Sequence, residues 1–458
     1  MRSEVHAHDH SSSSLINFFS PIVKDLQFLS AFTLVGLLIA ITFFIKEEHG
    51  RLTKEAMRVR TLARFAAAVW SMTTLGYMFL TLSNILDIPL NQTFDELVAR
   101  SFLFQTALGK SFLITFIVSV LVNLFLITVR KNGGTLLILC LTYVGVFAPV
   151  FQSHAASAGN HGLATGSLIF HVCFISIWVG GVIGLIIIAP AERALSISRF
   201  SAIALWAAIG VVISGSINAI VRLNSRSAWK SFYANLVIDK IFLTSILIFA
   251  GYKHRQYLAA KIGDSRKVYK LLLGEALLMA LTVSIGGWLS LTDHPDPVVA
   301  PTNEAVLSIT GMNDPGKPSL SKLIWGYVPD GTFLGLLILA TIFYSKGVIV
   351  LSKRGDKRPK GRLISWIIGV GLADYATSGG IGIYSHFTFG YHMLAHMILG
   401  MIAPIFFVLS APITLALRTL PKGREGQERG IRGLLVSALH SKYIMTLSNP
   451  VVALLIFD

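Results

Sequence analysis

From residue 26 onward the chain alternates long apolar runs with short polar stretches, most of the runs near the length a helix needs to cross about 30 Å of hydrocarbon. The runs fall at 26–45, 62–86, 112–129, 135–151, 163–189, 200–221, 236–251, 271–291, 332–351, 363–375 and 391–417. A further run at 443–457 reads as part of a twelfth. The pattern predicts an all-α, polytopic membrane helix bundle of about 11–12 transmembrane helices.

Composition agrees with this reading. The 458 residues are 53% hydrophobic and only 14% charged, with a mean hydropathy of +0.68, too little charge to cover a water-soluble surface of this size. The net charge of +16 does not point to nucleic acid, because the basic residues sit in short loops between apolar runs, where they set orientation. Loops such as KEEHGRLTKEAMRVR, KHRQYLAAKIGDSRKVYK and SKRGDKRPKGR fall on alternate sides as one set, which is then cytoplasmic. RLNSRSAWK is basic on the opposite side and is the exception. The N-terminus is expected to be extracytoplasmic and the protein to lie in a plasma membrane as a multi-pass protein. Residues 1–25 read as a flexible outward tail, 26–291 as one transmembrane domain, 292–330 as an extracytoplasmic linker loop and 331–458 as a second transmembrane domain. Cys140 and Cys173 lie in apolar runs and form no CxxC pair, so both are expected in the buried core.

The chemistry concentrates between Tyr384 and Pro412, in YSHFTFGYHMLAHMILGMIAPIFFVLSAP. On a helix, His392 and His396 share a face, and Met393, Met397 and Met401 repeat at the same spacing on the neighbouring face. Imidazole suits copper in either oxidation state and thioether favours Cu(I), so a metal on this ladder is expected to be copper, as Cu(I). Methionine also fills apolar helices without any ligand role, and for the three methionines packing is the simpler reading. Histidine in a membrane helix is costly to bury and faces a bundle or cavity, which favours function. On the expected topology His154, His161, His171, His294 and His386 lie on the same outer side as His392 and His396, whereas His49, His254 and His440 sit in basic loops. The expected metal ligands are His171, His386, His392, His396, Met393, Met397, Met401, His154 and His161. Asn218, Arg222 and Lys240 are expected to form either a brace between helices or part of an ion path. Glu275 is open to the same two readings. Asp374 reads as a helix cap in preference to a hard ligand.

HVCFISIWVGG from His171, SGSINAIVRL from Ser214 and YANLVIDK from Tyr233 together resemble the CopD family of bacterial copper-resistance membrane proteins, over roughly the first 290 residues. Ala234 stands where that family usually has glycine. From about Gly331 the chain resembles CtaG-type cytochrome c oxidase assembly factors, in Y-S-x-x-x-F at Tyr384 to Phe389 and H-M-x-x-H-M-x-x-x-M-x-x-P at His392 to Pro404. The second resemblance implies further spans, so this copy is expected to be incomplete. Together the resemblances imply a non-enzymatic, copper-handling protein that takes up or delivers copper in support of oxidase assembly. Its expected partners are the lipid bilayer, cytochrome c oxidase subunits and an extracytoplasmic copper chaperone. The alternatives are a membrane b-type cytochrome with His171 and His396 as axial haem ligands, and a scaffold without metal.

Overall fold

The computed structural model describes residues 10–152, 161–260, 265–292, 310–356, 358–421 and 430–452, with isolated positions between 295 and 307. Ten described helices are long and apolar enough to cross a membrane, and the protein is an all-α polytopic membrane bundle. The helices used below are α1 (His10–Ile39), α2 (Lys54–Leu86), α3 (Glu96–Gln105), α4 (Ala107–Thr128), α5 (Asn132–Phe147), α6 (His161–Ile187), α7 (Pro190–Arg222), α8 (Phe232–Ala260) and α9 (Ser265–Leu289). They continue as α10 (Leu320–Trp325), α11 (Gly331–Lys353), α12 (Lys360–Thr377), α13 (Gly380–Ser385), α14 (Phe389–Met397), α15 (Ala403–Leu409) and α16 (Pro412–Thr419).

Ten of the expected spans coincide with these helices. The run at 363–375 lies in α12, whose 18 residues include Lys360, Arg362 and Asp374, leaving a shorter apolar stretch between charges. The run at 443–457 is described only to residue 452, within and just beyond the helix Lys442–Leu447. Helix α1 begins at His10, so the polar approach is helical from that point.

The chain divides into two compact units, one comprising residues 1–45, 52–155 and 171–296, the other 46–51, 156–170 and 297–458. The core of the first unit gathers Leu34, Leu38 and Phe44 with Trp70, Val122, Leu185 and Met279. Without water to compete, helix association here depends on close packing and on hydrogen bonds between helices. Gly36 of α1 and Gly180 of α6 supply the first: a Cβ at either position would collide with the other helix's backbone. The second runs along α1, α2, α4 and α5, in Gln27 to Thr74 at 3.0 Å, Ser71 to Ser119 at 2.8 Å and Thr42 with Thr135 at 3.1 Å.

Helix starts are capped as their sequences predict. Thr53, Asp95, Thr106 and Asp330 each accept hydrogen bonds from the first turn of the following helix. Several C-terminal ends are finished by arginines near the starts of α2 and α7. Arg193, 7% exposed, donates to the carbonyls of Leu185, Ile186 and Ile188, Arg60 to Val129 and Arg199 to Phe44. These guanidinium groups satisfy carbonyls that a helix end leaves open and meet the negative end of its dipole.

One expectation about the cysteines is corrected. Cys140 is exposed on the surface of α5, on the side that also exposes Leu137 and Val144, three residues before and four after it. Cys173 is half-buried beside Tyr143.

Candidate metal-binding histidines

In the second unit the run expected as one helix over 391–417 is broken into four pieces. α14 gives way to a π-helical turn at Ile398–Ile402, then to α15, then to α16 after Ala411, which takes φ 49°. Pro404 has no N–H for the Gly400 carbonyl and its ring crowds it, which fits the widened turn just before it. Pro412 then opens the last segment. The carbonyl of Ser410, freed by this break, accepts from Arg358 at 2.6 Å and from the Tyr344 hydroxyl at 3.3 Å. Tyr344 is itself stacked on Trp366, with ring centres 4.2 Å apart.

α14 keeps the histidine pair. Nε2 of His396 and Nε2 of His392 lie 3.1 Å apart, so one ring donates to the other as they stand. A metal ion held by both nitrogens at about 2.0–2.1 Å would see them at roughly 100°. That angle suits adjacent vertices of a three- or four-coordinate site and leaves the remaining vertices to other ligands. Met393 and Met397 ride on the same helix, but Met401 falls inside the π-helical turn, so the four-residue register of the methionines ends at Met397. The three thioether side chains are 43%, 47% and 53% exposed and none belongs to the unit's core.

His386 sits in the turn before α14, exposed, within electrostatic reach of Asp330 and His392. Partial burial lowers its imidazole below the ordinary value of 6.5, Asp330 opposes the shift and His392 adds to it. Asp330 also accepts from the N–H groups of Thr332 and Phe333 through Oδ1. The Asp-Gly-Thr start of α11 is a capping signal in the sequence; its closeness to His386 is not. Asp374 is no cap: its side chain accepts from the Tyr327 hydroxyl at 3.3 Å. Burial, together with Asp374, raises the Tyr327 phenol above its ordinary value.

In the first unit, His171 on α6 meets α7. Its Nδ1 is 3.1 Å from Ser214 Oγ, and the Ser214 hydroxyl is already spent on the Gly210 carbonyl at 2.5 Å. With one hydrogen, Ser214 can only accept from His171, which places the proton on Nδ1 and makes Nε2 the nitrogen that carries the lone pair; the ring also bonds to the Val211 backbone. The ring lies against Gly215, where a Cβ would stand 3.1 Å from Cε1. Lys240 lies within electrostatic reach of His171 and of Arg222, and the Tyr233 hydroxyl bonds to Arg222. The basic pair expected on α7 and α8 therefore does meet, around His171. Ala234, at the position noted for its missing glycine, is fully buried beside Tyr233 and Val237.

His154 and His294 lie outside the described residues, as does the side chain of His161, whose backbone opens α6. Among the described residues no three His, Cys, Asp or Glu side chains gather closely enough to hold a metal ion.

Residues 15–166 match the family model described as copper resistance protein D-like, N-terminal domain, and residues 194–289 match copper resistance protein D. Residues 342–458 match the cytochrome c oxidase caa3 assembly factor family, CtaG. The chain resembles a fusion of these two families. Asn218, Arg222 and Lys240 fall within the CopD-like match and the histidine pair within the CtaG-like one, while His171 and Trp178 fall between the two CopD-like matches. Uncharacterized proteins of Mycobacterium bovis and Mycobacterium tuberculosis are each 33% identical to the chain over 147 residues, 32% of this chain and 22% of theirs. A third, from Mycobacterium leprae, is 32% identical over a stretch of the same length. The chain thus matches about a fifth of the length of these curated relatives. No solved structure matches it.

Proposed function

We propose that the protein handles copper in a bacterial membrane, taking up or delivering Cu(I) in support of cytochrome c oxidase assembly, and catalyses no reaction. The observation that carries this reading is the His392–His396 pair, two imidazole nitrogens 3.1 Å apart within the CtaG-like region. Copper is the metal that a mixed imidazole and thioether set favours. The first unit supplies a second imidazole, His171, whose lone pair is on Nε2. An oxidase subunit or a copper chaperone that docks on α14 would complete the coordination, since the described residues bring no third charged or imidazole ligand to the pair.

Metal analysis and an absorption spectrum of the purified protein test this. Bound copper with no Soret band is expected; a Soret band would establish the haem reading instead, and neither signal would leave a scaffold.

His171 gives an independent check through a residue that would not touch the metal. Ser214→Ala removes the acceptor that fixes the His171 tautomer, and losing such a partner typically weakens a metal site about 10–100-fold. A Cu(I) competition titration should show that loss for one site and leave the CtaG-like site unchanged. Equal affinity at both sites would mean that His171 is held by Ser214 for packing alone.

A further inference from the structure

Four residues of α9, Glu275, Met279, Val283 and Gly287, recur at intervals of four and so form one stripe along the helix. Met279 and Val283 are 1% and 6% exposed and belong to the same core as the inner residues of α1. At one end, Gly287 receives Asp25 of α1 so closely that a Cβ there would collide with Asp25 Oδ1. That oxygen is buried and has no hydrogen-bond partner among the described residues, while the Ser284 hydroxyl bonds to the carboxylate. At the other end, Glu275 Oε2 lies 2.9 Å from Nδ1 of His254 on α8, with the two side chains 8% and 18% exposed. Twelve residues of helix separate the ends, about 18 Å at the usual rise.

We propose that the seam between α1 and α9 is a proton path, with Asp25 as acceptor at one end, the Glu275–His254 pair at the other, and Met279 with Val283 as a dry gate between them. A buried carboxylate oxygen without a donor is costly, and a proton on Asp25 cancels the charge that makes it so. Glu275 with a neutral His254 carries one negative charge, and one proton converts the pair to a neutral imidazolium–carboxylate. Asp25 can therefore hold one proton, and the carboxylate and imidazole 2.9 Å apart can share one. A proton leaves Asp25 and adds to the Glu275–His254 pair through water admitted transiently past Met279 and Val283; no electrons move. Ionisable side chains inside a membrane bundle mark such routes.

The surrounding charges fit two separate stations. Beside Asp25 stands Lys24, whose Nζ is 5.4 Å from the centre of the Tyr77 ring on α2, and Lys240 of α8 reaches Gly286, the residue before Gly287. α5 turns its Tyr143 to Ser176 instead. Beside Glu275, α1 offers nothing that titrates, because no ionisable residue occurs between Asp25 and Lys46. On α8, Lys253 points to the Phe249 ring at 5.6 Å, and Arg193 of α7 lies over Tyr269, 5.6 Å from its centre.

The path goes beyond the copper reading and does not depend on it, so it is tested without copper. The full chain is reconstituted in vesicles holding a pH-sensitive dye, a pH step is applied, and potassium with valinomycin compensates charge. Proton flux above that of protein-free vesicles is expected for the unaltered protein, with a several-fold loss in Glu275→Gln and in Asp25→Asn. Met279→Ala should raise the flux by opening the gate, which a variant that merely fails to fold into the bilayer would not do. The double variant Met279→Ala, Glu275→Gln should fall back, whereas a non-specific leak would persist. Flux at the protein-free level in the unaltered protein, unaltered flux in both carboxamide variants, or a double variant as leaky as Met279→Ala would each overturn the proposal.

Discussion

His392→Ala combined with His396→Ala abolishes Cu(I) binding in the CtaG-like region and leaves a site at His171 intact. The expectation follows from the geometry: the two Nε2 atoms are 3.1 Å apart on one short helix, and no other group of His, Cys, Asp or Glu side chains among the described residues replaces them. Both rings are exposed, so their removal costs little packing and the folded protein remains available for measurement. Copper stoichiometry by metal analysis, before and after substitution, reads the outcome directly, and an unchanged ratio would remove the pair from the reading. Leucine at Met393, Met397 and Met401 separates sulfur from bulk. Such swaps conserve volume and cost less than about 1.5 kcal/mol per site, and exposure makes the cost here smaller still. A fall in Cu(I) affinity would then assign the thioethers as ligands, whereas an unchanged affinity would assign them to the surface of the helix. A metal binds only the neutral imidazole. Because burial holds His386 below its ordinary value of 6.5, any contribution it makes to binding persists to lower pH than that of an unperturbed histidine.

Gly180→Ala is expected to be strongly destabilising to the first unit. At this crossing the new Cβ would meet the Phe32 carbonyl and the backbone of Gly36, neither of which can rotate away. Alanine gains about 0.5–1 kcal/mol over glycine as a helix former, but forcing extra volume into a packed interface costs about 1–3 kcal/mol or more, so the net change is destabilising. One turn further on, a Cβ at Gly184 would stand 3.1 Å from the Gly36 carbonyl and 3.3 Å from the Ala40 methyl, a contact that a slight shift relieves. Thermal unfolding in detergent should therefore place Gly180→Ala well below Gly184→Ala. Equal midpoints would show that α1 and α6 do not cross as described.

Whatever depends on neighbours along the chain could be read from the residues alone. The spans were legible because crossing a bilayer demands an unbroken apolar length, and the His392–His396 face because a spacing of four fixes two side chains on one side of a helix. What the sequence left open are choices made by residues far apart. The arginines of the basic loops read as orientation signals, and only their positions show that they also close helix ends, as Arg193 does for α6. Nothing near His171 in the chain shows that Ser214, forty-three positions later, has only an acceptor to offer it. Nothing along the chain links Asp25 to Glu275, which the sequence left between a brace and an ion path, and it took the packing of α9 against α1 and α8 to give one an empty oxygen and the other a histidine. A side chain's spacing is set by its own helix, but its partner, and with it the proton or metal it can hold, is set by which other helix lies alongside.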